Sequence, residues 1–342
     1  MVQTMTEPVF VPHLPSARAR FAHWATARTV RPLEHVVPDG EAGVKVIRRM
    51  LATMMAGAGT MATDVEVVPV DSTTEQFGRI KGEWSRPRTP RPGMVIFYIH
   101  GSGYALCSTK THRPLVSRLA KQARVQVFSA EYRLAPEHPF PAAPDDIERA
   151  YDWLLAQGWT PDQVIVAGDS AGGHLTLDLA VRLLREGREL PAGLLLMSPL
   201  ADLTCALMEE REKAVPDAMI SAAGVRRLFA HYLRETDPLH PRLAHVLEAG
   251  EVLPPTLIQA GGAEFLAADA HHIADMLAAT GTDVRLEIWP GQMHVFQAAN
   301  LMVPEADQAL RRAARFVVSA LVARSGALEG DQAVEGNQEV TA

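Results

Sequence analysis

A chain of 342 residues, 47% hydrophobic and 21% charged, can bury a full core, which makes it one large domain or a domain with an accessory piece and excludes a disordered chain. Its formal charge of −7, with Lys and Arg spread through the helical stretches, leaves no basic stripe for nucleic acid. No apolar run reaches the roughly 20 residues that span a bilayer, the N-terminus lacks the apolar core of a secretory signal, and Cys107 and Cys205 lack the paired spacing of a metal site; the expectation is a cytoplasmic protein with reduced thiols, no nucleic-acid partner and no membrane partner.

Residues 1 to about 60, including VKVIRRMLATMMAGAG, read as helices whose Met-rich apolar face has no strand of its own to cover. Short β-branched and apolar runs then recur: MVIFYIH (94–100), VQVFSAEY (125–132), VIVAG (164–168), GLLLMS (193–198), PTLIQAG (255–261) and VRLEIWPG (284–291). Without polar alternation, such runs suit strands buried on both faces of a parallel sheet. Helical periodicity marks 112–123, 143–158, 174–187 and 268–281 between them. Strand then helix, repeated, predicts an α/β sheet covered on both faces.

Residues 202–247 form a helical insertion between two predicted strands. Together with 1–60 it would build a helical cap over the site, or else pack against the back of the sheet. Within it Met208, Met219, Leu228, Phe229 and Tyr232 have the spacing of a packing face, which suits a cap core better than an acyl pocket. Residues 61–201 and 248–323 remain for the α/β domain, and the polar, acidic, Gly-rich stretch 324–342 is predicted to be a disordered tail.

Two serines sit in glycine-rich turns, Ser102 in HGSGY and Ser170 in GDSAGG. Gly168-Asp169-Ser170-Ala171-Gly172 follows the strand VIVAG and precedes a helix, the strand–turn–helix setting of a nucleophile elbow. The turn is so tight that Ser170 must take a strained backbone, and a side chain at 168 or 172 would collide with the neighbouring strand and helix. The helix also aims its positive end at negative charge developing beside Ser170.

A serine alcohol needs a base, and the base needs a third group to orient it. His294, in GQMHVF, lies on a loop just past a strand, whereas His271 and His272 are helical and His231, His240 and His245 belong to the insertion. For the acid, Asp237 falls inside the insertion before any strand could present it, while Glu264 comes three residues past the strand PTLIQAG. Glu264 is the expected acid; Asp269 is the alternative, although it could cap the helix it starts.

Acyl hydrolysis passes through an oxyanion, and each pre-aimed N–H donor is worth about 3 kcal/mol. The glycine-rich loop HGSGY can aim such donors inward. Ser102, Gly103 and Ala171 would donate backbone N–H bonds, Gly101 would permit the turn, and the Ser102 hydroxyl would be a spectator. His100 reads as a structural tie of that loop. In YRLAPEHPFPAA, Arg133, Glu137 and His138 could form a second catalytic cluster, but the prolines at 136, 139 and 141 favour a rigid ion-paired segment that buttresses the oxyanion loop.

Taken together, HGSGY, EYRLAPEHPFPAAPDD (131–146), GDSAGG, SPLADLT (198–204) and the ordered acid and His resemble the hormone-sensitive-lipase-like esterases, bacterial family IV of the α/β-hydrolases, over roughly residues 90–320. The resemblance implies an eight-stranded, mostly parallel sheet flanked by helices, with a helical cap. It further implies cofactor-free and metal-free hydrolysis of a small-molecule ester with a short acyl chain, and in many members a homodimer through the last sheet strand and its helix. Three positions depart from that pattern: Ser102 replaces a glycine of HGGG, Val295 replaces the glycine after the base His, and Glu264 stands where Asp is common. The first two are expected to narrow or reshape the acyl site.

Other function classes fit less well. Gly101-x-Gly103 after a strand hints at a dinucleotide fold, but Leu106 occupies the third glycine position and Glu131 lies 30 residues past Gly101, where about 20 is required. A non-catalytic small-molecule-binding homologue is disfavoured by the full Ser170, His294 and Glu264 set. The residues leave open whether the bond is an ester, a lactone or an amide.

Overall fold

The computed structural model describes residues 9–10, 14–32 and 40–339. In chain order the elements are β1 (Val9–Phe10), α1 (Ala17–Thr29), α2 (Glu41–Ala58), β2 (Val65–Thr74), β3 (Gly78–Pro87), β4 (Val95–Ile99), α3 (Thr109–Ala123), β5 (Gln126–Glu131), α4 (Ala142–Ala156), β6 (Val164–Asp169), α5 (Ala171–Arg185), β7 (Gly193–Met197), α6 (Ala206–Glu212), α7 (Ala222–Leu233), β8 (Thr256–Gly261), α8 (Ala267–Thr280), β9 (Val284–Trp289) and α9 (Pro304–Glu339). Strands β2 to β9 form the eight-stranded, mostly parallel sheet that the resemblance implies, and the two-residue β1 extends it in the order β1-β9-β8-β7-β6-β4-β5-β3-β2. Only β3 runs against the rest, since it is antiparallel to both β2 and β5.

The six apolar runs became β4 to β9, whereas β2 and β3 gave no apolar signal. At the sheet edge β2, VEVVPVDSTT, is alternately half-buried and exposed, so polar residues and a proline are tolerated there. In β4 every residue is buried. Val95, Phe97 and Ile99 face a core shared with α4, α5 and α8, while Ile96 and Tyr98 face one shared with α3 and α9. Burial on both faces removes the alternation that would otherwise mark a strand.

The strand order positions the site. From β4 the chain crosses through α3 to β5 on one side, and from β6 it crosses through α5 to β7 on the other. The loops leaving neighbouring β4 and β6 therefore diverge, opening a crevice at the carboxyl ends of those two strands. Ser102 and Ser170 stand on these two loops.

In the insertion, Met208, Phe229 and Tyr232 are buried in the core, and Tyr232 stacks flat on Tyr104 of the oxyanion loop at 3.9 Å. Leu228 instead meets the loop surface: a Cβ placed on Gly103 would lie 2.5 Å from its Cδ2. From α2, Arg48 donates to the carbonyls of Ala105 and Ala135 at 2.6 Å each and pairs with Glu137 at 2.7 Å. Arg31 donates to Asp217 O at 2.7 Å and to Glu212 at 2.9 Å. Of the N-terminal segment assigned to a cap, residues 1–8, 11–13 and 33–39 lie outside the described residues.

One feature departs from the reading of the chain. Helix α9 continues through 324 to Glu339 where composition predicts disorder; the stretch has no proline to stop a helix already started by packing, although Gly326, Gly330 and Gly336 each weaken it. Residues 340–342 lie outside the described residues. The outer edge of β9, through which the resemblance implies pairing of two copies, is met at Glu287 and Ile288 by β1 of the same chain.

Candidate active site

Ser170 ends β6 and begins α5 with φ 53° and ψ −122°, a region non-glycine residues occupy only at a cost of about 1–3 kcal/mol. Its backbone is held from both sides: Ser170 N donates to Met197 O at 2.9 Å, and Ser170 O accepts from Leu200 N at 3.1 Å. The flanking glycines are sterically required, because a Cβ on Gly168 would overlap Gly172 O and one on Gly172 would overlap Ile99 O. The strain and the collisions expected of the elbow are both present.

His294 Nε2 lies 3.0 Å from Ser170 Oγ and His294 Nδ1 lies 2.5 Å from Glu264 Oε2. A carboxylate only accepts, so Nδ1 carries the hydrogen and Nε2 is left to accept from the serine hydroxyl. Burial opposes the imidazolium, but Glu264, with Asp217 and Asp169 adding to it, outweighs this and raises the imidazole above 6.5. Fully buried Glu264 is fixed in turn: its Oε1 accepts from Ser198 Oγ at 2.8 Å and from Gly261 N at 2.5 Å. Ser198 Oγ also accepts from Val295 N at 3.1 Å, so one hydroxyl holds both Glu264 and the residue after His294.

Asp269, the alternative acid, is elsewhere. Its Oδ1 accepts from Ala201 N at 2.8 Å and Asp202 N at 2.9 Å, and burial pushes its carboxyl up to about 7. It anchors the SPLADLT loop. Asp237 turns its own loop by accepting from Leu239 N at 2.9 Å. The residues Arg133, Glu137 and His138 do not converge: Arg133 pairs with Asp146 at 2.8 Å and Glu137 with Arg48. Glu131, the acid of the dinucleotide alternative, caps α3 by accepting from Thr109 N at 2.9 Å.

The oxyanion loop returns across the head of β6. Gly101 N donates to Asp169 Oδ1 at 2.9 Å; among the described residues, the N–H groups of Ser102, Gly103 and Ala171 meet no protein acceptor. The Ser102 hydroxyl is not a spectator. Tyr132 OH donates to His100 O at 2.7 Å, so its oxygen receives the Ser102 hydroxyl proton at 2.6 Å, while Ser102 Oγ accepts from Tyr104 N at 2.8 Å. The hydroxyl points into the protein and ties the loop from beneath, so this departure leaves the acyl side unencumbered. Val295 likewise spends its departure on backbone: at φ 46° it is in the left-handed region, with its side chain against the core of α3 and α9.

Reading the chain missed the layer beneath that loop. Asp169 Oδ1 also accepts from Tyr98 OH at 2.6 Å, and its Oδ2 lies 3.2 Å from His112 Nε2. Burial works against the Asp169 charge, yet His112, Tyr98 and Gly101 N hold its carboxyl below the ordinary range. His100, stacked 4.4 Å from Tyr132, is pushed down to about 4 by burial and stays neutral. The available signal was that Asp169 directly precedes Ser170. Among the described residues, no group of three or more His, Cys, Asp or Glu side chains is placed to hold a metal ion, and no helix is long and apolar enough to cross a membrane. Cys107 and Cys205 are unbridged.

Comparison with known proteins shows the family. Residues 96–298 match the model of a family described as alpha/beta hydrolase fold. The carboxylesterase/phospholipase LipF of Mycobacterium tuberculosis is 34% identical over 320 residues, 89% of this chain and 82% of that protein; an acetyl-hydrolase of Streptomyces hygroscopicus is 37% identical over 254 residues, 74% and 84% of the two chains. A crystal structure of an esterase from the bacterial hormone-sensitive lipase family superposes with a TM-score of 0.79 at 30% identity, covering 90% of this chain and all of the other. The chain belongs to the α/β-hydrolases and, within them, to the hormone-sensitive-lipase-like esterases of bacterial family IV. It is a carboxylic ester hydrolase.

Proposed function

We propose that this chain is a serine carboxylesterase that cleaves short-chain acyl esters through an acyl-enzyme, with Ser170 as nucleophile, His294 as base and Glu264 as orienting acid. The carrying observation is the relay Glu264–His294–Ser170, at 2.5 and 3.0 Å. His294 Nε2 takes the Ser170 proton as Oγ attacks the ester carbonyl carbon. The oxyanion is received by the N–H groups of Ser102, Gly103 and Ala171. His294 then gives the proton to the leaving alcohol, and a water activated by the same imidazole releases the acid and restores Ser170.

Leu228, pressed over Gly103, supports a short acyl chain by occupying space above the oxyanion loop. The contacts of Arg31 with the insertion and of Arg48 with the oxyanion loop support a helical cap made of both helical segments over the carboxyl edge of the sheet. A related crystal structure, 32% identical with a TM-score of 0.79, is of an esterase soaked with p-nitrophenyl butyrate, which makes that ester a suitable probe. Ser170→Ala is expected to abolish its hydrolysis, and a panel of p-nitrophenyl esters from two to sixteen carbons should favour the short end. Retained activity in Ser170→Ala would remove the nucleophile assignment; preference for the longest chains would remove the short-chain assignment.

A further inference from the structure

Arg211, in the last turn of α6, reaches behind the acid. Its Nε donates to Glu264 O at 2.9 Å and its Nη2 to Gly262 O at 3.0 Å. From the other side Asp217, itself buried, accepts from Met219 N at 2.8 Å and, more weakly, from Phe265 N at 3.4 Å. The backbone of Gly262–Phe265, which carries Glu264, is thus held by Arg211 and Asp217 of the insertion and, at the end of β9 and just past it, by Trp289 O and Gln292 O, which accept from Gly262 N at 2.7 Å and Ala263 N at 2.9 Å. Glu264 uses its carboxylate on His294, Ser198 and Gly261, and its carbonyl is met by Arg211 Nε.

The chemistry at Arg211 sets it apart from the arginines that pair with carboxylates elsewhere in the molecule. No ion pair of Arg211 with a carboxylate occurs among the described residues, and its guanidinium spends two hydrogen bonds on loop carbonyls. Half-burial lowers its affinity for a proton while the nearby Glu264 charge opposes that; a guanidinium nevertheless remains charged. The titratable and charged groups around it are Glu264 on the acid loop, His271 on α8, which burial and the Arg211 charge hold below its ordinary value, and the Glu212–Arg31 pair beside it. His294 faces Glu264, Asp217 and Asp169. A planar fork suits two carbonyls two residues apart in a way that an ammonium does not.

We infer that Arg211 is a positioning residue, whose fork on the carbonyls of Gly262 and Glu264 keeps the Glu264 carboxylate aligned with His294. The inference rests on the triad described above. Without the fork the acid loop relaxes outward, and a misplacement near 1 Å costs up to about a hundredfold in rate.

The test is Arg211→Met, with turnover of p-nitrophenyl butyrate expressed per active site by titration with an organophosphonate. At least a tenfold fall in kcat with KM within about twofold is expected. The acid limb of the pH profile should also move down, because His294 loses the carboxylate that raises it. Arg211→Lys, which keeps the charge but not the fork, should recover only a minor part, and it supplies the same readings if the Met variant does not fold. Unchanged kcat and pH profile would overturn the inference. So would a limb that moves up in Arg211→Met and is fully restored by Lys, since charge alone would then be acting. Ser170→Ala run in parallel separates the two claims: an active Ser170→Ala defeats the triad itself, whereas an inactive one beside a wild-type-like Arg211→Met defeats only the role of Arg211.

Discussion

Ser102→Ala asks whether the hydroxyl under the oxyanion loop carries weight. Removing Oγ leaves Tyr104 N without its acceptor in a residue that has no solvent exposure. Tyr132 keeps its bond to His100 O but no longer receives the serine proton. An orphaned buried donor costs about 1–3 kcal/mol. Taking ~2 kcal/mol, and an unfolding entropy of ~0.7 kcal/mol/K for a chain of this length, the midpoint of thermal unfolding should fall by about 3 °C. The loosened loop also carries two of the proposed oxyanion donors, so kcat for p-nitrophenyl butyrate should drop several-fold while staying far above Ser170→Ala. Calorimetry and initial rates on the same preparation measure both. An unchanged melting temperature together with unchanged kcat would mean that the hydroxyl is idle and that the bonds to Tyr132 and Tyr104 contribute nothing.

Two further outcomes follow from other contacts. The Arg48 hydrogen bond pulls the Glu137 carboxyl down to about 2 from its ordinary 4.5, so the pair adds stability above pH 4.5 that is lost as pH falls toward 2. With Glu137 39% exposed, Glu137→Gln should cost no more than ~1 kcal/mol at pH 7, and the gap to wild type should close in acid denaturation series; a gap that widens below pH 4.5 would contradict the pairing. Leu228→Ala should open the space over Gly103 by about two methylenes, raising the kcat/KM ratio of octanoate to butyrate esters roughly tenfold at ~0.8 kcal/mol per methylene. An unaltered chain-length profile would place Leu228 outside the acyl path.

The central strands were legible because burial on both faces strips polar residues from them, and the elbow was legible because its geometry tolerates only glycine at 168 and 172. Strands β2 and β3 were not: the edge strand β2 accepts Pro69 and Asp71 as readily as valine, and β3, paired on both sides, still carries exposed Arg79 and Lys81 and buried Glu83 and Ser85. The convergence of Ser170, His294 and Glu264 follows from chain order plus the rule that residues just past parallel strands gather at one edge. What that rule cannot supply is the support for each member. Ser198, Arg211, Asp217 and His112 lie 48 residues or more in sequence from the site loops they brace, and no local pattern distinguishes them from surface polar residues.

That support divides unevenly between the two halves of the proposed site. The nucleophile and the donor end of the oxyanion loop are braced from the α/β core, by Asp169, Tyr98, His112 and Tyr132, all buried, while the helical segments reach only its later residues, Tyr104 and Ala105. The acid loop is tied at Gly262 and Ala263 to the end of β9 and the segment past it, but its carbonyls and its far end are braced by Arg211 and Asp217 of the insertion, with Arg31 behind them. Sheet-borne groups are held by the cooperative core and move only with it, whereas contacts from an inserted helical segment open at lower free energy. Partial loosening of the insertion, by mild denaturant or by substitution at Arg31, therefore acts first on the alignment of Glu264 with His294 and leaves Ser170 in its strained turn. Activity should accordingly be lost before global unfolding, and the lost step should be proton transfer, not the supply of N–H donors to the oxyanion.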